Sequence, residues 1–178
     1  MKFTVHGPFD ISRHNCLVDH SATAKAAFWQ TIEKEVPNLP NACGCYVFVI
    51  RKNIIALPWY VGLTTRRSFQ REVFGNFQIN HYNDAIGDAN ALRRGVAQLY
   101  LIAKRTPKGR FSKPSPKMHL DIEFLETFMF GIALNRNRGF RNSKNTKFFR
   151  NVCVPGVINT PRRPPSKAEA SLRKDLGL

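Results

Sequence analysis

Acidic residues and long apolar runs are both scarce in this chain of 178 residues. Asp and Glu number 12 against 28 Lys and Arg, which gives a formal net charge of +16. No apolar run approaches the roughly 18 residues that cross a bilayer, and the first residues lack the apolar core of a secretory signal. The sequence therefore disfavours a membrane or secreted protein, and we expect a cytoplasmic protein with no membrane partner.

Cysteine is also scarce, and its spacing does not fit a zinc site. Cys43 and Cys45 are separated by a single residue, while Cys16 and Cys153 lie far away in the chain. Zinc sites generally use paired C-x-x-C or C…H spacings. We interpret Cys45, which lies in an apolar run, as a small buried hydrophobic residue.

Positive charge is abundant, and it is unevenly placed in a chain that can still fold. Hydrophobic residues make up 43% of the chain and include 14 Phe, which is enough for the core of one domain. Residues 1–92 hold nine Lys and Arg against seven Asp and Glu, whereas residues 93–178 hold 19 against five. This asymmetry favours a polyanionic partner such as DNA or RNA. The alternative is a solvated basic surface that only keeps the protein soluble.

Apolar periodicity predicts an α/β domain with a small, mainly antiparallel, three-stranded central sheet flanked by helices. The predicted strands are 45–50, 59–63 and 96–103. The predicted helices are 22–36, which Ser21 can cap, 68–74, 120–134 and one opened by a capping box at 166–169, with a part-helical stretch over 79–91. Residues 3–20 show no clear pattern.

Two of the predicted strands carry a tyrosine two residues from a glycine. The first reads Gly44-Cys45-Tyr46 and the second reads Tyr60-Val61-Gly62. Glycine in a strand allows another backbone or a ligand to approach closely. If the two strands pair, both phenols would lie near one site. The alternative is that both tyrosines simply fill the core, as tyrosines in strands commonly do.

Charged residues that could complete such a site occur later in the chain. Arg66, Arg67 and Arg71 carry guanidinium groups that can bind a phosphate, or they are ordinary solvated charges. Glu126 lies among apolar residues of the longest predicted helix. There it is costly to bury without a partner such as a divalent cation, unless it lies on the wet edge of the helix. His81 could transfer a proton or contact a phosphate, although a lone histidine is more often structural.

The order of these motifs and charged residues along the chain resembles that of the GIY-YIG nuclease family. The resemblance covers roughly residues 43–145 and rests on the two Gly/Tyr motifs followed by Arg71, Glu126, and either Asn135 or Asn142. The position of the family's arginine falls on Gln70 here. Arg71, one residue further on, and Arg67 are therefore the candidates for the catalytic arginine.

The resemblance implies a metal-dependent endonuclease that hydrolyses phosphodiester bonds of DNA, with Mg²⁺ or Mn²⁺ as cofactor. It implies Glu126 as the metal ligand and Tyr46 as the base or as the group that orients the attacking water. Tyr60 would hydrogen-bond the scissile phosphate, Arg71 would stabilise the developing charge, and His81 would support proton transfer or phosphate binding.

The resemblance also divides the single domain of residues 1–178. The nuclease core would span 43–145, after an N-terminal extension over 1–40 with a helix and before a basic C-terminal extension over 146–178 ending in a helix. The nucleic-acid backbone would be held by basic residues, namely Arg66, Arg67, Arg136, Arg138, Arg141 and Lys144. A catalytically silent module that binds DNA or RNA with the same fold is the alternative function, and a protein that binds ribosomal RNA is a third.

Overall fold

The computed structural model describes residues 2–89, 94–116, 119–137 and 166–176, with six strands and five helices. In chain order these elements are β1 (Lys2–Ile11), β2 (Arg13–His14), β3 (Leu17–Val18), α1 (Ala22–Glu35), β4 (Gly44–Lys52), β5 (Ile55–Thr64), α2 (Phe69–Glu72), α3 (Asn76–Asp88), β6 (Val96–Arg105), α4 (Leu120–Arg136) and α5 (Lys167–Leu176). None of the helices in these ranges is long and apolar enough to cross a bilayer.

The main sheet has four strands in the order β1-β6-β4-β5, and every pair is antiparallel. The mixed α/β class and the antiparallel sheet are confirmed, but the prediction of three strands is wrong. The missed strand is β1, which pairs with β6 and lies within residues 1–40. A β-bulge between His6 and Phe9 breaks its register, and the intervening Gly7 and Pro8 interrupt the apolar alternation that identifies a strand.

Local sequence signals place most of the other elements. The three predicted strands fall within β4, β5 and β6, each of which is longer than predicted. The predicted N-cap is confirmed, because the Ser21 side chain accepts a hydrogen bond from the Ala24 N–H (3.2 Å). The capping box is confirmed as well, because the Glu169 N–H donates to Ser166 Oγ (3.2 Å) while Glu169 Oε2 accepts from the Ser166 N–H.

Helices cover both faces of the sheet, so its central strand β4 is apolar on both sides. Tyr46, Phe48 and Ile50 pack with residues of α1 and α3. The alternate residues of the strand, which include Cys45 and Val47, pack with residues of α4 and α5. Cys45 is fully buried, as predicted. This two-sided burial explains why the strand appears in the sequence as a continuous apolar run rather than an alternating one.

A buried polar network attaches α5 to the sheet. Asp175, whose side chain is 1% exposed, forms an ion pair with Arg51 of β4 (2.5 Å). Asp175 also accepts a hydrogen bond from the Tyr100 hydroxyl of β6 (2.6 Å). Ser171 Oγ lies 2.7 Å from the same hydroxyl. Because these groups are shielded from water, each depends on the others for its hydrogen bonds.

Replacing Asp175 by Ala is expected to lower the free energy of unfolding by about 2 kcal/mol, because Tyr100 and Arg51 both lose an acceptor. The Arg51 side chain is 22% exposed and can turn toward water. Because Arg51 can then bond to water, the loss of unfolding free energy stays below the roughly 3–5 kcal/mol that follows when a fully buried ion pair is broken. Urea unfolding measures the change. Lys174→Ala, an exposed substitution on the same helix, should stay within about 0.5 kcal/mol of the unsubstituted protein, and equal losses in the two variants would contradict the network.

Candidate active site

Pairing of β4 with β5 brings the two motif tyrosines together. Tyr46 lies opposite Gly62, and Phe48 lies opposite Tyr60. The ring centroids of Tyr46 and Tyr60 are 6.1 Å apart, and the two hydroxyls are hydrogen-bonded to each other. The two phenols therefore form one hydrogen-bonded pair beside β5, which is an edge strand of the sheet.

The two motif glycines make room for this arrangement. The Tyr46 ring lies directly over Gly62, where a Cβ would lie 2.8 Å from Tyr46 Cε2 and still closer to Cζ and Oη. At Gly44, a Cβ would collide with the Ile102 carbonyl oxygen of β6 and lie 3.0 Å from the Phe69 ring of α2. Both positions thus require glycine because other atoms lie too close to the backbone for a side chain. Gly62 in particular allows the Tyr46 phenol to reach the sheet edge.

Helix α3 supplies the aromatic neighbours of the pair. The His81 ring stacks on Tyr60 with centroids 5.1 Å apart and an interplanar angle of 19°. Tyr82 stacks on Phe48 at 4.3 Å and points edge-on toward Tyr60 at 5.8 Å. The Tyr82 hydroxyl is buried and has no hydrogen-bond partner among the described residues. His81 therefore lies at the candidate site, as predicted, while Tyr82 is an addition that the sequence analysis missed.

Glu72 is a second residue that the sequence analysis missed. Its Oε1 accepts a hydrogen bond from Gln78 Nε2 (2.9 Å), and its Oε2 lies 3.7 Å from Arg67 Nη1. Its negative charge contributes to the raised pKa values of Tyr46, Tyr60 and Tyr82. Its only sequence signal was its position directly after Arg71 in the helix that follows the second motif.

The two candidate arginines occupy different environments. Arg67 is exposed, but its guanidinium pairs with Glu72, and its carbonyl oxygen accepts a hydrogen bond from Thr64 Oγ1. Arg71 is exposed on α2, and within the described residues no side-chain contact joins it to the tyrosine pair. Arg66 is also exposed. The structure thus connects Arg67, rather than Arg71, to the surroundings of the phenols.

Glu126 lies on α4, which packs against β5 on the sheet face opposite the one where α1 and α3 surround the tyrosine pair. The residue is 6% exposed, so the alternative of a wet helix edge is wrong. Its charge contributes to the raised pKa values of Tyr60 and Cys45. No group of three or more His, Cys, Asp or Glu residues that could hold a metal occurs in the described ranges. The single buried carboxylate of Glu126 nevertheless fits Mg²⁺ or Mn²⁺, since Mg²⁺ commonly keeps water and substrate phosphate as its other ligands.

The remaining predicted site residues lie outside the described part of the chain. Arg138, Arg141, Asn142 and Lys144 fall in residues 138–165, and the side chains of Asn135 and Arg136 at the end of α4 are not described. Their roles stay predictions.

Burial keeps the phenols of the site protonated. It raises the pKa of Tyr60 to about 12 and the pKa values of Tyr46 and Tyr82 well above the usual value for tyrosine. The neighbouring phenols and Glu72 add to the shift at Tyr46. A general base at neutral pH needs the opposite direction. Tyr46 is therefore a hydrogen-bond donor in this arrangement.

A spectrophotometric titration can test this arrangement, because all four tyrosines of the chain have raised pKa values. The native protein is expected to show little phenolate at pH ~10, where an unfolded chain is half ionised. Since the folded-state pKa values are the higher ones, the stabilisation is complete below pH ~10 and is lost as the pH rises further. The phenolate absorbance of native protein is compared with that of protein in urea. A native midpoint near pH ~10 would contradict the buried pair.

Comparisons of the chain with protein-family models, curated proteins and solved structures found no match.

Proposed function

We propose that this chain is a metal-dependent endonuclease that hydrolyses phosphodiester bonds of DNA, acting in the cytoplasm. The observation that carries the proposal is the hydrogen-bonded pair of Tyr46 and Tyr60 at the sheet edge, together with the buried carboxylate of Glu126 on α4, the helix that packs against the same edge strand β5. The order of these residues in the GIY-YIG-like motifs and the net charge of +16 support the same function.

Phosphodiester hydrolysis requires an oriented water molecule and groups that stabilise the charge developing on the phosphate. The hydrogen bond between Tyr46 and Tyr60 uses only one of the two phenol protons, which leaves the other able to donate to a phosphate oxygen. The same hydrogen bond holds the two hydroxyls in place. Arg67 adds a guanidinium at the exposed side, where it can pair with phosphate oxygens.

His81 is the group suited to proton transfer. Its ring is half-buried against Tyr60, and imidazole is the side chain that most readily exchanges a proton near neutral pH. Glu126 is the residue that would hold Mg²⁺ or Mn²⁺. When bound there, the ion would supply positive charge to the developing phosphate anion.

A catalytically silent module that binds DNA or RNA is the second candidate. It is favoured by one observation, namely that Tyr46 is 1% exposed and that burial raises its pKa. A phenol of this kind can serve packing alone.

Cleavage of a panel of single-stranded, duplex and branched DNA and of RNA tests both candidates. The proposed nuclease is expected to cut DNA only when Mg²⁺ or Mn²⁺ is added and to stop when EDTA removes the metal. The Glu126→Gln protein, purified identically, is the control for a contaminating nuclease. Salt-sensitive binding without any turnover would favour the silent module, and neither binding nor turnover would contradict both.

A further inference from the structure

A basic groove lies beyond the end of the sheet that carries the tyrosine pair. Its volume is about 520 Å³. Its lining includes the side chains of Arg105, Arg110, Phe111, Lys113, Asn38 and Asn41. No acidic residue lines it within the described part of the chain.

Strand register places this groove and the candidate active site at the same end of the sheet. Gly44, at the start of β4, pairs with Thr64 at the end of β5 and with Ala103 near the end of β6. Tyr46 is two residues from this end, and Arg105 is the last residue of β6. The groove and the motif residues therefore lie at the same end of the sheet.

A backbone connection joins the groove to the arginines near the site. The segment after Phe111 returns toward the sheet, where the Cys43 N–H donates to the Ser112 carbonyl oxygen (3.1 Å). Three residues later, the Ser115 N–H donates to the Thr65 carbonyl oxygen (3.0 Å). Arg66 and Arg67 follow Thr65 directly. Backbone hydrogen bonds thus tie the segment that follows the groove cations to the residue directly before Arg66 and Arg67.

The groove combines one hydrogen-bonded guanidinium and two exposed cations with an aromatic ring. The Arg105 guanidinium lies 3.7 Å from the Phe111 ring centroid and donates to Thr4 Oγ1 (3.0 Å) and to the Gly109 carbonyl oxygen (3.1 Å). Arg110 and Lys113 are exposed. A held guanidinium flanked by two exposed cations suits a row of phosphates, and exposed Asn side chains can bond sugar or base-edge atoms.

We propose that the basic groove binds the DNA backbone that flanks the phosphate at the tyrosine pair. This rests on the proposed function for the identity of the polyanion. The groove then fixes the position of the strand relative to the site, because contacts with phosphates set register without reading sequence.

Binding of a fluorescein-labelled DNA duplex, followed by anisotropy in EDTA at several salt concentrations, tests the proposal. The double variant Arg110→Ala/Lys113→Ala is expected to bind more weakly and to lower the slope of log Kobs against log salt by about 1.8, because each phosphate contact contributes about 0.9. Each single variant is expected to lower it by about 0.9, which keeps the test valid if the double variant fails to fold.

The matched control is Lys52→Ala/Arg94→Ala, which removes the same charge from exposed residues at the opposite end of the sheet. Its salt slope is expected to stay close to that of the unsubstituted protein. Equal salt slopes in the two double variants, or salt slopes unchanged from the unsubstituted protein in both, would overturn the proposal that the groove binds DNA. A loss seen with an RNA hairpin but not with the DNA duplex would overturn the choice of DNA.

The outcome is separable from that of the proposed function. If the chain binds DNA through Arg110 and Lys113 but never cuts it, the proposed groove is supported and the proposed nuclease activity is contradicted. The chain could also cut DNA in the presence of Mg²⁺ while its groove variant binds and cuts as well as the unsubstituted protein. That result would support the proposed nuclease activity and contradict the proposed groove.

Discussion

Glu126→Gln is expected to lower the rate of Mg²⁺-dependent DNA cleavage by at least about 100-fold, the size of effect seen when one charge-stabilising group is removed from an active site. The substitution keeps the shape of a side chain that is 6% exposed, but it removes the negative charge that would hold the metal ion. Single-turnover cleavage in Mg²⁺ measures the rate, and thermal unfolding confirms that the variant is folded.

A matched control lies one helical turn away on α4. Glu123→Gln makes the same chemical change at a half-buried residue, and we expect it to leave the cleavage rate within a few-fold of the original. Tyr60→Phe, which keeps the ring and removes the hydroxyl, should reduce the rate as Glu126→Gln does. If the Glu126→Gln protein cuts as fast as the unsubstituted protein, the assignment of the site is wrong.

Gly62→Ala is expected to lower the free energy of unfolding by about 3–5 kcal/mol, and cleavage should fall with it. The added Cβ would overlap the Tyr46 ring, and Tyr46 is 1% exposed, so the ring has no free volume to enter. Displacing it costs about as much as losing the packing of a buried aromatic side chain. Urea unfolding measures the loss, and the cleavage assay shows whether the tyrosine pair survives.

Two further variants separate the clash from a general effect of alanine. Gly87 lies in α3 with no atom within 4 Å of an added Cβ, so Gly87→Ala is expected to stabilise the protein by about 0.5–1 kcal/mol. In a Tyr46→Ala background the clash is gone, and Gly62→Ala should then cost little. A large and unchanged cost in that background would show that Tyr46 is not the obstacle.

The elements set by local sequence were predictable. The strands β4, β5 and β6 follow from runs of β-branched and aromatic residues, and α1 and α5 follow from their capping residues. The sequence predicted that Tyr46 and Tyr60 lie near each other if their two strands pair. The edge strand β1 was not, because the bulge between His6 and Phe9 interrupts the period-two pattern by which a strand is recognised.

The composition of the site was less predictable, because charged side chains acquire their roles from neighbours distant in sequence. The sequence favoured Arg71 as the catalytic arginine and left Arg67 as its substitute, and only the turn after β5 brings Arg67 to Glu72. Glu72 itself carried no motif signal. The burial of Glu126 was equally open, since helical periodicity does not say which helix face meets the sheet.

The sequence by itself determined the α/β class, the basic charge and the two Gly/Tyr motifs, since composition and short-range spacing are properties of the chain alone. Tertiary structure decided which charges meet. It turned Asp175 inward to Arg51 and Tyr100, buried Glu126 on the helix that packs against β5, and joined the 106–116 loop to the segment before Arg66. These are contacts between residues far apart in the chain, and strand register together with helix packing fixes them.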